Sequence, residues 1–243
     1  MADTLQLDIA APHISYPESD GMPMADNTRQ FRLIVMIQGG LDAQFAQQPD
    51  VFVAGDLLWY PVEGQSTVRA APDIMVAFGA PKGDRGSYLQ WHEGNIAPQV
   101  VFEILSPGNT VPEMTRKYGF YNRYGVEEYY LYDPDHNELS GWQRNDGWLS
   151  AIDPIEDWVS PRLGIRFSSN AGELRLFHPD GQLFTTFVEL EQRAERERQR
   201  AEHERQRAEH ERQRAEQAEQ ALSTERTRVE ELLNRLRALG QEL

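Results

Sequence analysis

The chain has 243 residues, of which 40% are hydrophobic and 26% are charged, a composition typical of a globular protein. It contains no cysteine, which excludes disulfide frameworks and thiolate metal sites, so a metal could be bound only by carboxylates or histidines. The first residues show no signal-peptide pattern, and no apolar run approaches the roughly 18 residues of a membrane span. We therefore expect a cytoplasmic protein that does not enter a membrane.

The net charge of -15 is unevenly distributed along the chain. Residues 189–243 contain 12 arginines and 14 glutamates, whereas residues 1–188 contain 12 basic and 25 acidic groups. The first 188 residues therefore carry a charge of about -13, which is a poor electrostatic match to a polyanion such as DNA.

The N-terminal part of the chain alternates between loop-forming and regular patterns. Residues 1–28 are rich in Pro, Asp and Ser, which predicts an extended segment before a domain over residues 29–188. Apolar residues at helical spacing predict a first helix from about Thr28, with a break at Gly39 and Gly40 as an alternative to a continuous helix. Three β-branched and aromatic runs follow, which predict three strands within residues 50–62, 71–79 and 98–106.

A second helix is predicted from TVPEMTRKYGFYNRYGV, because Met114, Tyr118 and Tyr121 lie on one helical stripe that ends near Gly125. EEYYLYDP then predicts a fourth strand, and DPDHN a turn. Short strands such as GIRFS follow. The order of helices and strands predicts an α/β domain with a mixed central sheet flanked by helices.

From residue 189 the sequence becomes a charged seven-residue repeat, with ERQRAEH twice and then ERQRAEQ. One heptad register places Ala194, Leu222, Val229, Leu236 and Leu243 at position a, but position d is apolar only near the ends, at Leu190, Ala218, Leu232 and Leu239. We expect a long C-terminal helix that is either a solvated single helix or a coiled coil that forms a homo-oligomer. A nucleic-acid-binding arm is less favoured because Glu balances Arg throughout.

Two acidic residues stand in apolar strands. Asp73 lies between Pro72 and the run IMVAF, and Glu103 lies within VVFEIL. A buried carboxylate is costly unless it is paired or binds a metal, so a strand-start cap for Asp73 and a salt bridge for Glu103 remain alternatives. Two carboxylates on neighbouring strands would suit Mg²⁺ or Mn²⁺.

If the substrate of such a metal site is a phosphodiester, its hydrolysis also needs a cation beside the attacking water and the developing negative charge. The chain has only two lysines, Lys82 and Lys117. Lys117 lies on the helix that directly follows the Glu103 strand, so it could reach the carboxylates. The alternative is an exposed pair with Glu113.

The strings APDIMVAFG, PQVVFEILSPGNT and EMTRKYGFYNRYGVEEYYLYDP resemble the Uma-type restriction endonuclease family, which is abundant in cyanobacteria and is assigned to the PD-(D/E)XK nuclease superfamily. The resemblance covers about residues 15–188. It implies a restriction-endonuclease-like fold in which Asp73 and Glu103 bind a divalent metal. Lys117 then replaces the lysine of the motif and completes the catalytic set.

The sequence departs from the superfamily pattern at two points. Leu105 occupies the strand position where the superfamily lysine normally lies. Relatives often carry an acidic residue on the first helix, and here the polar candidates for that place are Gln30 and Gln38, with Asp56 as another possible neighbour.

The expected function is therefore a Mg²⁺-dependent endonuclease that cuts DNA. A catalytically silent, nuclease-derived scaffold or interaction protein that assembles through the helical tail is the alternative favoured by the acidic charge and by Leu105. A third possibility is a metal-dependent hydrolase of smaller phosphate esters.

Overall fold

The structure, a computed structural model, describes residues 14–238 and Gly240. The chain divides into two compact units, of which the first ends at Thr186 and the second begins at Phe187. The elements of the first unit are α1 (Thr28–Gln44), β1 (Val51–Gly55), β2 (Trp59–Tyr60), β3 (Ile74–Phe78), β4 (Tyr88–Leu89), β5 (Val100–Ile104), α2 (Val111–Arg123), β6 (Glu128–Asp133), β7 (Glu138–Asn145), β8 (Trp148–Ala151), β9 (Arg166–Ser168) and β10 (Arg175–Phe177).

The main sheet has six strands in the order β1-β3-β5-β6-β7-β8. Strands β5 and β6 are parallel and are joined through α2, whereas the other neighbours are antiparallel. Residues of α1 pack in one hydrophobic cluster with one face of the sheet, and Tyr121 of α2 packs in a second cluster with the other face. The predicted mixed sheet flanked by helices is confirmed.

Helix α1 begins after Asn27, whose side-chain oxygen accepts hydrogen bonds from the backbone N–H groups of Arg29 and Gln30. The helix is continuous through Gly39 and Gly40, so the possible break predicted there does not occur. A Cβ at position 40 would meet the ring of Phe184. Gly40 therefore allows that ring to pack directly against the helix backbone.

The predicted strand over residues 50–62 is in fact two strands. β1 ends at Gly55, and Asp56 adopts a positive φ of 49°, which turns the chain out of the main sheet. The backbone N–H of Asp56 still donates to the carbonyl oxygens of Pro72 and Asp73, at 3.2 Å each. β2 then pairs with β4 in a separate two-stranded parallel sheet.

Helix α2 begins with a capping box, in which the Thr110 side chain accepts from the N–H of Glu113 and the Glu113 side chain accepts from the N–H of Thr110. Pro112 lies in the first turn, where its missing N–H costs no helical hydrogen bond. Tyr121 on the predicted stripe is fully buried. The capping box and Tyr121 thus define where α2 begins and which face it turns to the sheet.

The second unit is a single helix, α3 (Phe187–Ala238), of 52 residues. At about 1.5 Å per residue it is roughly 80 Å long. Leu222, Val229 and Leu232 of the heptad pattern are about half exposed, while Leu239 and Leu243 lie outside the described residues. None of the described helices has the length and apolarity that a membrane-spanning segment needs.

Candidate active site

Asp73 and Glu103 lie at the ends of two neighbouring strands. Asp73 directly precedes β3, and Glu103 follows Phe102 of β5, which lies opposite Ile74 in the antiparallel pair β3–β5. The charge of Glu103 acts on the carboxyl group of Asp73, so the two side chains are close. Asp73 also accepts a hydrogen bond from the backbone N–H of Ile104 at 2.6 Å.

A third acidic residue lies at the end of the neighbouring strand. Gly55 of β1 lies opposite Ile74 of β3, and Asp56 follows Gly55 with its N–H bonded to the backbone of Asp73. Asp56, Asp73 and Glu103 therefore lie at the ends of three adjacent strands.

Helix α2 supplies both partners of the Glu103 side chain. Glu103 is 2% exposed, and its Oε2 accepts from Nζ of Lys117 at 2.7 Å. Its Oε1 accepts a short hydrogen bond from the hydroxyl of Tyr121. Residues four apart on a helix lie on the same face, which is why Lys117 and Tyr121 reach one carboxylate. The structure thus brings together Asp73, Glu103 and Lys117.

The electrostatics of this cluster are dominated by burial and by like charges. Burial and the charge of Glu103 raise the pKa of Asp73 to about 8, although Lys117 and the N–H of Ile104 act in the opposite direction. Burial and the charge of Asp20 raise the pKa of Asp56. Asp73 and Asp56 are thus hard to ionise without an added cation.

The two partners of Glu103 are held in defined protonation states. Burial lowers the pKa of Lys117, but the carboxylates of Glu103 and Asp73 outweigh it, so the net shift is upward. Burial and the charge of Glu103 raise the pKa of Tyr121 well above its usual value. Lys117 is therefore an ammonium and Tyr121 a neutral hydrogen-bond donor around neutral pH.

The donor set suits a hard cation that keeps part of its solvent shell. Within the described part of the chain, no three Asp, Glu or His side chains converge closely enough to hold an ion by themselves. Mg²⁺ in phosphoryl-transfer sites commonly takes one or two carboxylates and completes its shell with water and substrate oxygens. Asp73 and Glu103 match that requirement.

Many relatives have an acidic residue on the first helix, and the three candidates for its place here, Gln30, Gln38 and Asp56, have different surroundings. The amide of Gln30 is buried, donates to the carbonyl of Ile104 at 2.8 Å and accepts from the N–H of Asp26, so it links α1 to the end of β5. Gln38 lies beside Gly55, since a Cβ there would be 2.9 Å from its Oε1. Of these three residues, Gln38 and Asp56 flank the end of β1 beside Asp73.

The sequence does not predict two neighbours of the cluster. It places Tyr121 only on the apolar stripe of α2, although a spacing of four residues from Lys117 indicates that both lie on one face of the helix. Asp20 belongs to the N-terminal segment, which is anchored where Tyr60 donates to the carbonyl of Pro17 at 2.8 Å. No local pattern connects an extended segment to a distant strand end, so the sequence carried no sign of Asp20.

Comparisons with known proteins identify the family of this chain. The model of the Uma2 family, described as "Putative restriction endonuclease", matches residues 19–183. A solved structure from Anabaena variabilis, described as a "putative nuclease belonging to DUF820", is 19% identical, with a TM-score of 0.43 over 61% of this chain and 75% of that chain. No curated protein matches the chain. Because the family match spans more than half of the sequence, the chain belongs to the Uma2 family of nuclease-type proteins.

Proposed function

We propose that this chain is a metal-dependent endonuclease of the PD-(D/E)XK type that hydrolyses phosphodiester bonds in DNA. Asp73 and Glu103 bind Mg²⁺ or Mn²⁺, and Lys117 is the catalytic cation. Family membership supports nuclease activity. The observation that carries the metal assignment is the charge of the cluster, in which three carboxylates share one ammonium group.

This charge imbalance favours a divalent cation over a purely structural ion pair. A salt bridge between Glu103 and Lys117 leaves Asp73 and Asp56 without a compensating charge, and burial makes both hard to ionise. A bound cation reverses that effect, since it is the largest local charge and favours the ionised form of nearby carboxyl groups. Ionisation of Asp73 and Asp56 would add two negative charges, which one divalent ion would compensate.

A metal held by Asp73 and Glu103 would supply a Lewis acid for a phosphate oxygen and would make the attacking water more acidic. Asp73 and Glu103 orient the reacting groups through their carboxylate oxygens. Lys117, held as an ammonium by Glu103 and Asp73, donates hydrogen bonds to the attacking water and neutralises charge on the phosphate. Tyr121 fixes the orientation of the Glu103 carboxylate.

The position of Lys117 compensates for the missing strand lysine. Residue 105, where the superfamily motif has lysine, is a partly buried leucine, yet the ammonium of Lys117 contacts Glu103 from α2. A helix-borne lysine thus supplies the cation beside the same pair of carboxylates.

A catalytically silent scaffold is the second candidate function, and two observations favour it. Both oxygens of Glu103 already accept hydrogen bonds from the protein. The first 188 residues also carry 25 acidic against 12 basic groups, which disfavours DNA binding without a metal or a partner.

The test is calorimetric titration of Mg²⁺ and Mn²⁺ into the full chain and into Asp73→Ala and Glu103→Gln, with plasmid nicking measured on the same samples. Asp42→Ala is the matched control, because Asp42 is an exposed carboxylate that pairs with Lys82. We expect both site variants to lose metal binding and to nick DNA roughly 100-fold more slowly or worse, while the control keeps both properties.

The results separate the candidate functions. Metal binding without nicking favours the scaffold. Nicking that survives Asp73→Ala, or metal binding that is equal in all variants, rules out the proposed site.

A further inference from the structure

Residues 16–26 form an irregular strap on the first unit, without helix or strand. At the first end of the strap, the ring of Tyr16 packs on the rings of Tyr60 and Trp91, with centroids 5.2 and 5.0 Å apart. The hydroxyl of Tyr16 also accepts a hydrogen bond from the backbone N–H of Gly64 at 2.6 Å. These contacts attach the first end beside β2.

The second end of the strap is attached at the end of β5. Asp26 accepts a short hydrogen bond from the hydroxyl of Ser106, and its backbone N–H donates to the side chain of Gln30 at 2.8 Å. Gln30 donates in turn to the carbonyl of Ile104, whose own N–H donates to the carboxylate of Asp73. The strap therefore ends next to the candidate active site.

Between its two ends the strap passes close to the carboxylates. Asp20 lies near enough to Asp56 that its charge, after burial, is the main cause of the raised pKa of that carboxyl group. The hydrogen bonds in this part are local, since the N–H of Gly21 donates to Ser19 and that of Met22 to Asp20. The side chain of Met22 is 68% exposed. The middle of the strap thus reaches the site without being packed into the domain.

In this position the strap opposes the entry of a phosphate. Glu103 is 2% exposed, and Asp56 and Asp73 are partly buried, so a DNA strand needs an opening before its phosphate can reach them. Asp20 adds a negative charge beside the carboxylates, and this charge repels an approaching phosphate. Both the backbone of the strap and its charge therefore act against substrate binding.

We propose that the strap closes the candidate active site and inhibits the nuclease until its first end is released. The proposal rests on the proposed nuclease function and adds its regulation. The second end leads through Asn27 into α1 and stays in place. The first end depends mainly on one aromatic side chain, Tyr16, and a segment with so few contacts can open without unfolding the domain.

A disulfide that locks the first end tests the closed state. The chain has no cysteine, and a Cβ at Gly86 would lie 2.6 Å from Cγ of Glu18, so cysteines at these two positions are within reach of each other. The double variant Glu18→Cys with Gly86→Cys should nick plasmid DNA roughly 10-fold more slowly, or worse, when oxidised than after reduction. Neither single variant should depend on the redox state.

A second pair of variants tests the open state. Tyr16→Ala removes both ring contacts and the hydrogen bond from Gly64. It should shift the strap toward its open form and accelerate nicking about 5-fold or more. Tyr16→Phe is the matched control, because it keeps the ring and should nick at nearly the rate of the unmodified chain.

Access to the site can also be measured without cleavage. Carbodiimide with glycine ethyl ester converts accessible carboxyl groups to amides, which mass spectrometry assigns to single residues. Asp56 should be labelled about 5-fold faster in Tyr16→Ala and more slowly in the oxidised double variant. Asp42, an exposed carboxylate that pairs with Lys82, is the internal reference and should react equally in all samples.

Equal labelling of Asp56 in Tyr16→Ala, Tyr16→Phe and the unmodified chain overturns the proposal. An oxidised double variant that nicks DNA as fast as its reduced form also overturns it. If the labelling changes as expected but no sample nicks DNA, the nuclease proposal fails and closure of the site by the strap stands.

Discussion

The ionisation of Asp73 depends on what cation lies beside it. Its carboxylate has one backbone hydrogen bond, from Ile104, and lies close to the charge of Glu103 on the neighbouring strand. The nearby ammonium of Lys117 is already in contact with Glu103. In the protein without metal, Asp73 is therefore largely protonated at neutral pH.

This state predicts how stability changes with pH. The folded-state pKa of Asp73, about 8, lies above its ordinary value of 3.8, so the folded protein holds a proton that the unfolded chain releases. The stability contributed by protonated Asp73 is present at low pH and is lost as pH rises through 8. Asp73→Asn should therefore become more stable than the unmodified protein between about pH 5 and about pH 9.

The measurement is the thermal unfolding midpoint of both proteins across that range with EDTA. Added Mg²⁺ should reduce the loss in the unmodified protein only. Parallel curves for the two proteins would show that Asp73 keeps an ordinary pKa.

Substitution of the two lysines of the chain should reduce stability by very different amounts. Lys117→Gln leaves the buried Glu103 carboxylate without its ion pair, a change that costs about 3 kcal/mol in comparable buried pairs, and it should also remove most Mg²⁺-dependent nicking. Lys82→Gln breaks a pair with Asp42 whose side chain is 62% exposed, so it should cost about 0–1 kcal/mol.

Urea unfolding and plasmid nicking on both variants test this difference. Equal stability losses would mean that Lys117 contributes no more than a surface lysine. A folded Lys117→Gln protein with full nicking would remove Lys117 from the mechanism.

At the scale of the elements, α2 presents different residues to the candidate active site and to an apolar groove. Lys117 and Tyr121 contact Glu103, whereas Met114 and Tyr118 line a groove between α2 and the sheet. The capping box fixes where the helix begins, and hence the rotation that distributes these residues. A shift of one residue in the start of α2 would rotate each of them by about 100°.

Helix α1 offers a matched pair of glycines. A Cβ at Gly40 would meet the Phe184 ring, whereas a Cβ at Gly39 would meet nothing within 4 Å. Gly40→Ala should therefore destabilise the protein by about 1–3 kcal/mol through overpacking. Gly39→Ala should stabilise it by about 0.5–1 kcal/mol because alanine favours the helix.

Denaturant unfolding measures both effects with the same chemical change. If Gly40→Ala also stabilised the protein, Phe184 would not pack against this helix in solution.

At the scale of the whole molecule, the charge pattern of α3 restricts where chains could associate. In the heptad register, position d is glutamate in three successive heptads, at residues 197, 204 and 211, and again at residue 225. A parallel pair would place the like charges of the three successive heptads together. The apolar a and d residues described toward the C-terminal end are Ala218, Leu222, Val229, Leu232 and Leu236. We infer that any coiled coil involves residues 218–243.

This inference predicts the effect of removing the tail. A chain ending after Val188 should keep the folded first unit. Its particles should contain fewer chains than those of the full-length protein. In the full chain, Leu232→Glu should have the same effect, because Leu232 is a half-exposed d residue and glutamate there would place a charge in the interface.

Analytical ultracentrifugation with circular dichroism tests both variants. A folded first unit of unchanged oligomeric state would assign the tail to another role.

The sequence by itself determined the fold class and the residues worth testing. Apolar runs and helical stripes are local patterns, so they were sufficient to predict α1, α2 and four of the six strands of the main sheet, β1, β3, β5 and β6. An acidic residue inside an apolar strand is conspicuous without any structure, because burial of a lone charge is costly. Asp73 and Glu103 could therefore be chosen directly, and Lys117 followed from the scarcity of lysine.

The tertiary structure decided which side chains meet. The turn at Asp56, which ends β1 early, and the approach of Asp20 depend on hydrogen bonds and charges between distant segments. The Tyr121 contact with Glu103 and the apolar groove between α2 and the sheet depend on how α2 lies over the sheet. Strand register and helix rotation arise from packing over the whole domain, and a local sequence pattern does not specify them.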